Sequence, residues 1–261
     1  MVSGHKSDRF RIWQFSDIHL YADAAQKLYG VNCDASLQAV LSLAQSTATT
    51  AEFCLLTGDL VQDGSAAAYR RLLGYFENLS VPAYCLPGNH DTLDLMRRIL
   101  SSTRVGCQDH ILYRRWLVVL LDTTINGSNA GYLSVMESQR LEALIQQYPD
   151  RHVLLAMHHP PLPTTMQWLE RGVTLENPEQ VHQLVANHSC IRGVVWGHAH
   201  QAFQEMRADV LWAGCPSTMA QFKPGVDEFE LDSVLAGFRY IDLLDDGSIE
   251  SGVMRVVQSE P

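Results

Sequence analysis

Hydrophobic positions along the chain follow two rhythms: short apolar runs of strand length, and stretches in which apolar residues return at helical spacing. Phe10, Ile12 and Phe15 alternate through FRIWQF, which stops at Ser16-Asp17 and predicts a first strand ending there. A loop runs to Asn32. Asp34 is placed to cap a helix whose apolar face is Leu37, Val40, Leu41 and Ala44, and Phe53 to Leu56 then reads as a buried strand ending at Thr57-Gly58-Asp59. Ser65 opens a second helix with Tyr69, Leu72, Leu73 and Phe76 on one face, and a short strand from Ala83 to Leu86 runs into Pro87-Gly88-Asn89-His90. These are two βαβ units.

A helix through Met96 and Leu100 precedes strands at Ile111 to Tyr113 and Leu117 to Leu121, spaced as a hairpin. Ser134-x-x-Glu137 has the form of a capping box opening a helix to Gln147, and Val153 to Met157 is the next strand. Asn177-Pro178-Glu179-Gln180 combines an N-cap, Pro at N1 and Gln at N3 before a helix with Val181, Leu184 and Val185. The strand Ile191 to Trp196 follows and ends at Gly197-His198-Ala199-His200. Later segments around Phe203, Val210 to Trp212, Phe238 to Leu243 and Ile249 to Val256 are strand-like, with a turn at Asp246-Gly247. There is no repeat or interdomain linker. The order predicts a single α/β domain over residues 1–261, its sheet face covered by helices, with residues about 201–257 adding antiparallel strands.

Composition narrows the class. With 261 residues, 46% hydrophobic and 18% charged, the chain has the makeup of a folded domain, which excludes disordered and fibrous architectures. Six cysteines stand mostly in apolar runs without a C-x-x-C pair, and read as buried reduced thiols. Lys plus Arg total 19 against 29 Asp plus Glu, a formal charge of −10, so no basic footprint for nucleic acid is present. The opening MVSGHKSDRF lacks an apolar signal core, and the longest bulky apolar run, Trp116 to Leu121, is far short of a membrane span. The expectation is a cytoplasmic protein with no membrane or nucleic-acid partner.

Five polar clusters each follow a predicted strand: Asp17 to His19, Asp59, Asn89 to His90, His158 to His159, and His198 to His200. In α/β sheets the carboxyl ends of the strands share one edge, so residues distant in sequence can converge there. Carboxylate, amide and imidazole donors together suit borderline divalent ions such as Mn²⁺, Fe²⁺, Zn²⁺ or Co²⁺. The donors outnumber the needs of one ion. Two neighbouring ions that share a carboxylate activate water and clamp a displacement at phosphorus, which points to hydrolysis of a phosphate ester.

The motifs Asp17-Ile18-His19, Gly58-Asp59, Gly88-Asn89-His90-Asp91, His158 and Gly197-His198-Ala199-His200 resemble the calcineurin-like metallophosphoesterase pattern, in order. Leu28 to Asn32, Ala67 to Tyr69, His158-His159-Pro160, Trp168-Leu169 and the segment from Pro216 to Pro224 further resemble bacterial class III 3′,5′-cyclic AMP phosphodiesterases of the Icc/CpdA type. The resemblance implies a four-layer α/β/β/α sandwich, two mixed β-sheets flanked by helices. It implies Asp17, His19, Asp59 and His200 on a first metal and Asp59, Asn89, His158 and His198 on a second, with Asp59 bridging. The metals implied are Fe and/or Mn, with Zn, Co or Mg as alternatives. The expected reaction is hydrolysis of 3′,5′-cyclic AMP to 5′-AMP by a metal-bridging hydroxide. His19, Asn89, His90 and His200 would face the substrate, and His90 would orient the phosphate or protonate the leaving O3′. A loop at 221–224 is expected to act as a lid, and a homodimer is compatible with this picture.

Blander readings stand beside each motif. Asp17-x-His19 can be a polar strand end, Gly58-Asp59 an ordinary turn, Asn89 a left-handed turn residue and His158 a strand terminator before Pro160-Pro161. His159 is expected behind the ligands or beside the phosphate. Asp63, Asp91 and Asp122 can orient ligating imidazoles or serve as caps. His5, His110, His152, His182 and His188 follow no motif and read as surface or helix-face residues. Tyr29, Trp168 and Phe222 form either a wall for a base or core packing. The competing functions are a broader diesterase or phosphatase for 2′,3′-cyclic nucleotides, glycerophosphodiesters or related esters, and a metal-free or singly metallated protein-binding scaffold on the same fold.

Overall fold

The computed structural model describes residues 9–257, and His5 lies outside them. Two six-stranded sheets and one short hairpin carry the fold. The first half of the chain builds one sheet from β1 (Arg9–Phe15), β4 (Phe53–Thr57), β5 (Ala83–Leu86) and β6 (Val105–Gly106), joined through α1 (Cys33–Gln45), α2 (Ala66–Glu77) and α3 (Leu93–Ile99). A hairpin, β2 (Lys27–Leu28) and β3 (Val31–Asn32), interrupts the loop after β1. The second sheet contains β7 (His110–Tyr113), β8 (Trp116–Leu120), β9 (His152–Ala156), β10 (Ile191–Trp196), β11 (Phe203–Arg207) and β12 (Val210–Gly214), with α4 (Val135–Gln147), α5 (Gln167–Glu170) and α6 (Pro178–Asn187) between them. The chain then returns to the first sheet as β13 (Gly237–Leu244) and β14 (Ile249–Arg255). The sheet orders are β14-β13-β1-β4-β5-β6 and β11-β12-β10-β9-β8-β7.

Three apolar layers account for four structural ones. Phe10, Ile12, Phe53 and Leu55 meet Trp116, Val118, Leu154 and Val195 between the sheets. On the outer face of the first sheet, Trp13, Phe15, Cys54 and Leu56 pack under Leu37, Tyr69, Leu72 and Phe76. On the outer face of the second, Leu117, Val119, Val153 and Leu155 meet Leu141, Leu144, Val181 and Leu184. Strands apolar on both faces are what a sheet covered on both sides requires. The alternation read in the first strand is therefore split: Phe10 and Ile12 face the other sheet, whereas Phe15 faces the helices.

Local corrections have simple causes. The cap of α1 is Asn32, which accepts from Ala35 N at 2.8 Å, not Asp34; Asp34 lies within the first turn and pairs with Arg71 and Tyr75. Ser65 and Ser134 cap α2 and α4 as expected, but Glu137 completes no box, because its carboxylate is taken by Asp122 N and Arg140. Asn177 makes no cap bond and instead grips both backbone groups of Leu133. His110 and His152 stand half-buried on strands rather than on a helix face. All six cysteines are free, with Cys107 and Cys190 half-buried and the rest buried. No helix among the described residues is long and apolar enough to cross a membrane.

Candidate metal centre

Within the first sheet β1, β4 and β5 are parallel, and within the second β9 and β10 are parallel, so their carboxyl ends form two edges. The edges are stitched together. His158 Nδ1 donates to Thr57 O at 2.8 Å, His198 N donates to both Asp17 carboxylate oxygens at 3.0 Å, and Gln14 Nε2 donates to Trp196 O at 3.0 Å. Loops from distant stretches thereby converge on one spot.

The backbone there is strained in a consistent way. Asp17, His19, Asp59, His198 and His200 all have φ between 47° and 64°. Left-handed non-glycine residues cost roughly 1–3 kcal/mol each, and five at one spot persist only where surrounding bonds hold them. Those bonds are visible: Asp17, Ile18 and His19 donate their N–H groups to Gly58 and Asp59 carbonyls at 2.9–3.0 Å. Space is equally restricted. A Cβ at Gly197 would overlap Ser16 Oγ and the Asp17 carboxylate, and one at Gly88 would overlap Asp59.

The sequence-predicted donors all come together. His19 Nε2 is 3.1 Å from His200 Nε2 and 3.8 Å from Asp59 Oδ2, and His200 Nε2 is 3.5 Å from Asp17 Oδ1. On the other side, His158 Nε2 lies 3.4 Å from Asp59 Oδ1, 3.1 Å from Asn89 Oδ1 and 3.2 Å from His198 Nδ1. Two donors each about 2.1 Å from one ion stand about 3.0 Å apart at octahedral and about 3.4 Å apart at tetrahedral angles. The observed spacings of 3.1–3.8 Å overlap that range and extend a few tenths of an ångström beyond it. Asp59 faces both groups, Oδ2 toward His19 and Oδ1 toward His158, and Asp17 also lies within donor reach of His19 and His200 and of Asp59 and His158.

Backbone carbonyls fix which imidazole nitrogen faces inward. A carbonyl can only accept, so His158 and His200 carry their protons on Nδ1, toward Thr57 O and Ala220 O, and His198 on Nε2, toward Val173 O. Three lone pairs are thereby aimed into the centre. His158 Nε2 and His198 Nδ1, 3.2 Å apart, tolerate each other only with a proton or a metal ion between them. The charge distribution agrees. Burial alone would raise Asp59, but His158, His19 and His90 outweigh it and hold the carboxyl well below its usual range. Burial would lower His158, yet Asp59 and Asp17 lift it to about 9. Burial drives His19 down to about 4 and His198 to about 3, while it raises Asp17 to about 7. Carboxylates that pull a proton onto one histidine, together with burial that keeps the others neutral, fit a bound cation.

His90 is half-buried, its ring edge-on to His19 with centroids 5.1 Å apart, and its backbone N–H donates to Asp59 Oδ1 at 2.9 Å. It lines an open cleft with His19, Asp59, Asn89, His198 and His200. His159 is buried, bonds Thr123 Oγ1 at 2.8 Å and does not line that cleft. Asp63, Asp91 and Asp122 orient no imidazole among the described residues. Asp91 instead accepts from Gly88, Leu60 and Val61 N–H groups and from Tyr69 OH, bracing two donor loops at once. Phe222 is buried and stacks face to face on His200, with 3.9 Å between centroids, so this part of the 221–224 loop is a wall of the cleft. Tyr29, Trp168 and Phe229 continue that wall. Sequence reading missed Phe229, Gln62, Asn129 and Val173 in the cleft; of these, Gln62, three residues beyond Asp59 in the same loop, carried a positional signal.

Comparison with known proteins adds relatives to this geometry. The family model described as calcineurin-like phosphoesterase matches residues 10–202. A 3′,5′-cyclic-nucleotide phosphodiesterase of Nostoc sp. is 32% identical over 96% of this chain and 94% of its own. The 3′,5′-cyclic adenosine monophosphate phosphodiesterase CpdA of Pseudomonas aeruginosa is 34% identical over 93% of this chain and 89% of its own. Among solved structures, a dimetal phosphatase from Danio rerio covers 95% of this chain and 99% of its own with a TM-score of 0.62 at 15% identity. GAP50, the anchor in the inner membrane complex of Plasmodium, covers 97% and 86% with a TM-score of 0.66 at 12% identity. The same fold thus carries an anchor as well as a phosphatase, and function has to be read from the donors.

Proposed function

The chain belongs to the calcineurin-like phosphoesterase family, and on that premise we propose that it hydrolyses 3′,5′-cyclic AMP to 5′-AMP at a centre of two divalent metal ions. Asp17, His19, Asp59 and His200 would hold one ion and Asp59, Asn89, His158 and His198 the other, with Fe or Mn suited to this mixture of nitrogen and oxygen donors. When bound, two such ions lower the pKa of water and neutralise phosphate oxygens. The observation that carries this reading is the convergence of both donor groups on the shared Asp59 carboxylate, beside an aromatic-walled cleft.

The remaining work falls to the chain's own side chains. Hydrolysis adds a water oxygen to phosphorus opposite O3′, breaks the P–O3′ bond and requires a proton at O3′. His90, on the open side of the donor cluster, is the group that holds that proton or steadies the phosphate. Tyr29, Trp168, Phe222 and Phe229 offer an apolar wall for a purine, with Trp168 and Phe229 each edge-on to Phe222. Trp168 Nε1 is a buried atom without a hydrogen-bond partner among the described residues, on a residue lining the same cleft and placed to bond ribose or base, whereas the Gln62 side chain faces His19. Relatives named for cyclic-nucleotide hydrolysis support this substrate class. Six free thiols suit a cytoplasmic location.

The test is the ratio of kcat/KM for 3′,5′-cyclic AMP against 2′,3′-cyclic AMP and an activated aryl diester, measured on Mn-loaded enzyme. We expect the 3′,5′ ester to rank first of the three. Ranking it last would overturn the substrate assignment and favour a broader diesterase.

A further inference from the structure

Sheet register brings two thiols together outside the metal centre. β5 and β6 run parallel with Ala83 opposite Val105 and Tyr84 opposite Gly106, and Cys107, the first residue past β6, follows Gly106 as Cys85 follows Tyr84. Facing residues on neighbouring strands stand about 4.8 Å apart, within the span of about 4.4 to 6.8 Å between Cα atoms that a disulfide bridges. Both residues line the same small cavity, in which Cys107 Sγ donates to Leu100 O at 3.9 Å. Cys85 is buried and Cys107 half-buried, both in the apolar layer that packs under α2 and α3. Cys54, on β4, lies opposite Ala83 and so is offset from Cys85 by two residues.

The pair sits directly behind the donor loops. β5 ends one residue after Cys85, and the chain continues through Pro87 and Gly88 to Asn89 and His90. Cys85 is near enough to Asp91 to feel its charge, and Asp91 ties the Gly88 N–H to those of Leu60 and Val61 in the loop after Asp59. Displacing Cys85 therefore shifts the brace on which Asp59, Asn89 and His90 depend. Contact with Cys107, and burial, raise the Cys85 thiol well above its ordinary value, so the more accessible Cys107 meets a reagent first.

We propose that Cys85 and Cys107 form a reversible modification site that takes a small-molecule disulfide of the glutathione type, closes to an intramolecular disulfide and slows phosphoester hydrolysis. The Cys107 thiolate attacks one sulfur of the reagent and expels one thiol. The Cys85 thiolate then attacks the Cys107 sulfur and expels the second. Two protein thiols are oxidised by two electrons, the reagent is reduced to two thiols, and the two protons lost by the cysteines end on those thiols. The effect on turnover rests on the phosphoesterase reading above, whereas the cross-link does not.

Metal-loaded enzyme would be incubated with oxidised glutathione, mapped by mass spectrometry after proteolysis without reduction, and assayed on an activated aryl diester. That substrate reports on the centre whichever natural ester it takes, so failure of the cyclic-nucleotide reading leaves the test intact. We expect a linked Cys85–Cys107 peptide pair, lighter by two hydrogens than its reduced parts, with a severalfold fall in kcat. Excess thiol should restore both, and Cys107→Ser should be insensitive. A stable mixed disulfide on Cys107, a Cys54–Cys85 link, no link, a link with unchanged turnover, or equal loss in Cys107→Ser would each overturn the proposal.

Discussion

At the metal centre, individual atoms divide the work between holding ions and moving protons. Asp59 presents one carboxylate oxygen to each donor group, so Asp59→Ala should abolish uptake of both metals and all turnover. His90→Ala should keep two metals per chain, measured by elemental analysis, and slow kcat by about 10² to 10⁴, the usual worth of a positioned acid. Equal metal loss in the two variants would refute that division. Gly197→Ala should destabilise the fold by about 1–3 kcal/mol in urea unfolding and weaken metal uptake, because the added methyl has to displace Ser16 Oγ and Asp17. Most of these donors were legible in the sequence, since chemistry-bearing residues after strands have few other uses in such numbers. Their left-handed φ values were not, because Asp and His give no local sign of it.

Helices and strands explain both the success and the limits of pattern reading. Boundaries at Phe15, Thr57 and Trp196 followed from apolar runs, but the cap of α1 did not, because Asn32 and Asp34 offer the same short polar side chain two positions apart. Asn32→Ala should cost about 1 kcal/mol by loss of its bond to Ala35 N, read in thermal or urea unfolding. The one-turn α5 and the short strands β2, β3 and β6 carry too few residues to show a period. Phe229 was invisible for a related reason: it lies in a loop rather than an apolar run, yet its ring is within 5.3 Å of Phe222. Phe229→Ala should raise KM for 3′,5′-cyclic AMP about tenfold with little change in kcat, as loss of one stacking surface requires. An unchanged KM would remove Phe229 from the substrate wall.

Across the molecule, the pattern alone predicted helices covering one sheet face, and the division into two sheets came only with the family resemblance. Buried parallel strands are apolar on both sides, so their sequences do not say whether a helix or a second sheet covers a given face. The sheets are clamped at one end by Arg239, which reaches from β13 to carbonyls of Gly214 and Phe203 and to Gln204 on the facing sheet. Arg239→Ala should cost about 3 kcal/mol in urea unfolding with an unchanged m-value, since buried carbonyls lose their donor. That clamp matters to function because both edges must stay in register for one centre to form. Anomalous diffraction from Mn-loaded crystals tests that convergence most directly. Two peaks about 3.5–4 Å apart are expected, one among Asp17, His19, Asp59 and His200 and the other among Asp59, Asn89, His158 and His198. A single peak, or peaks away from Asp59, would contradict the account.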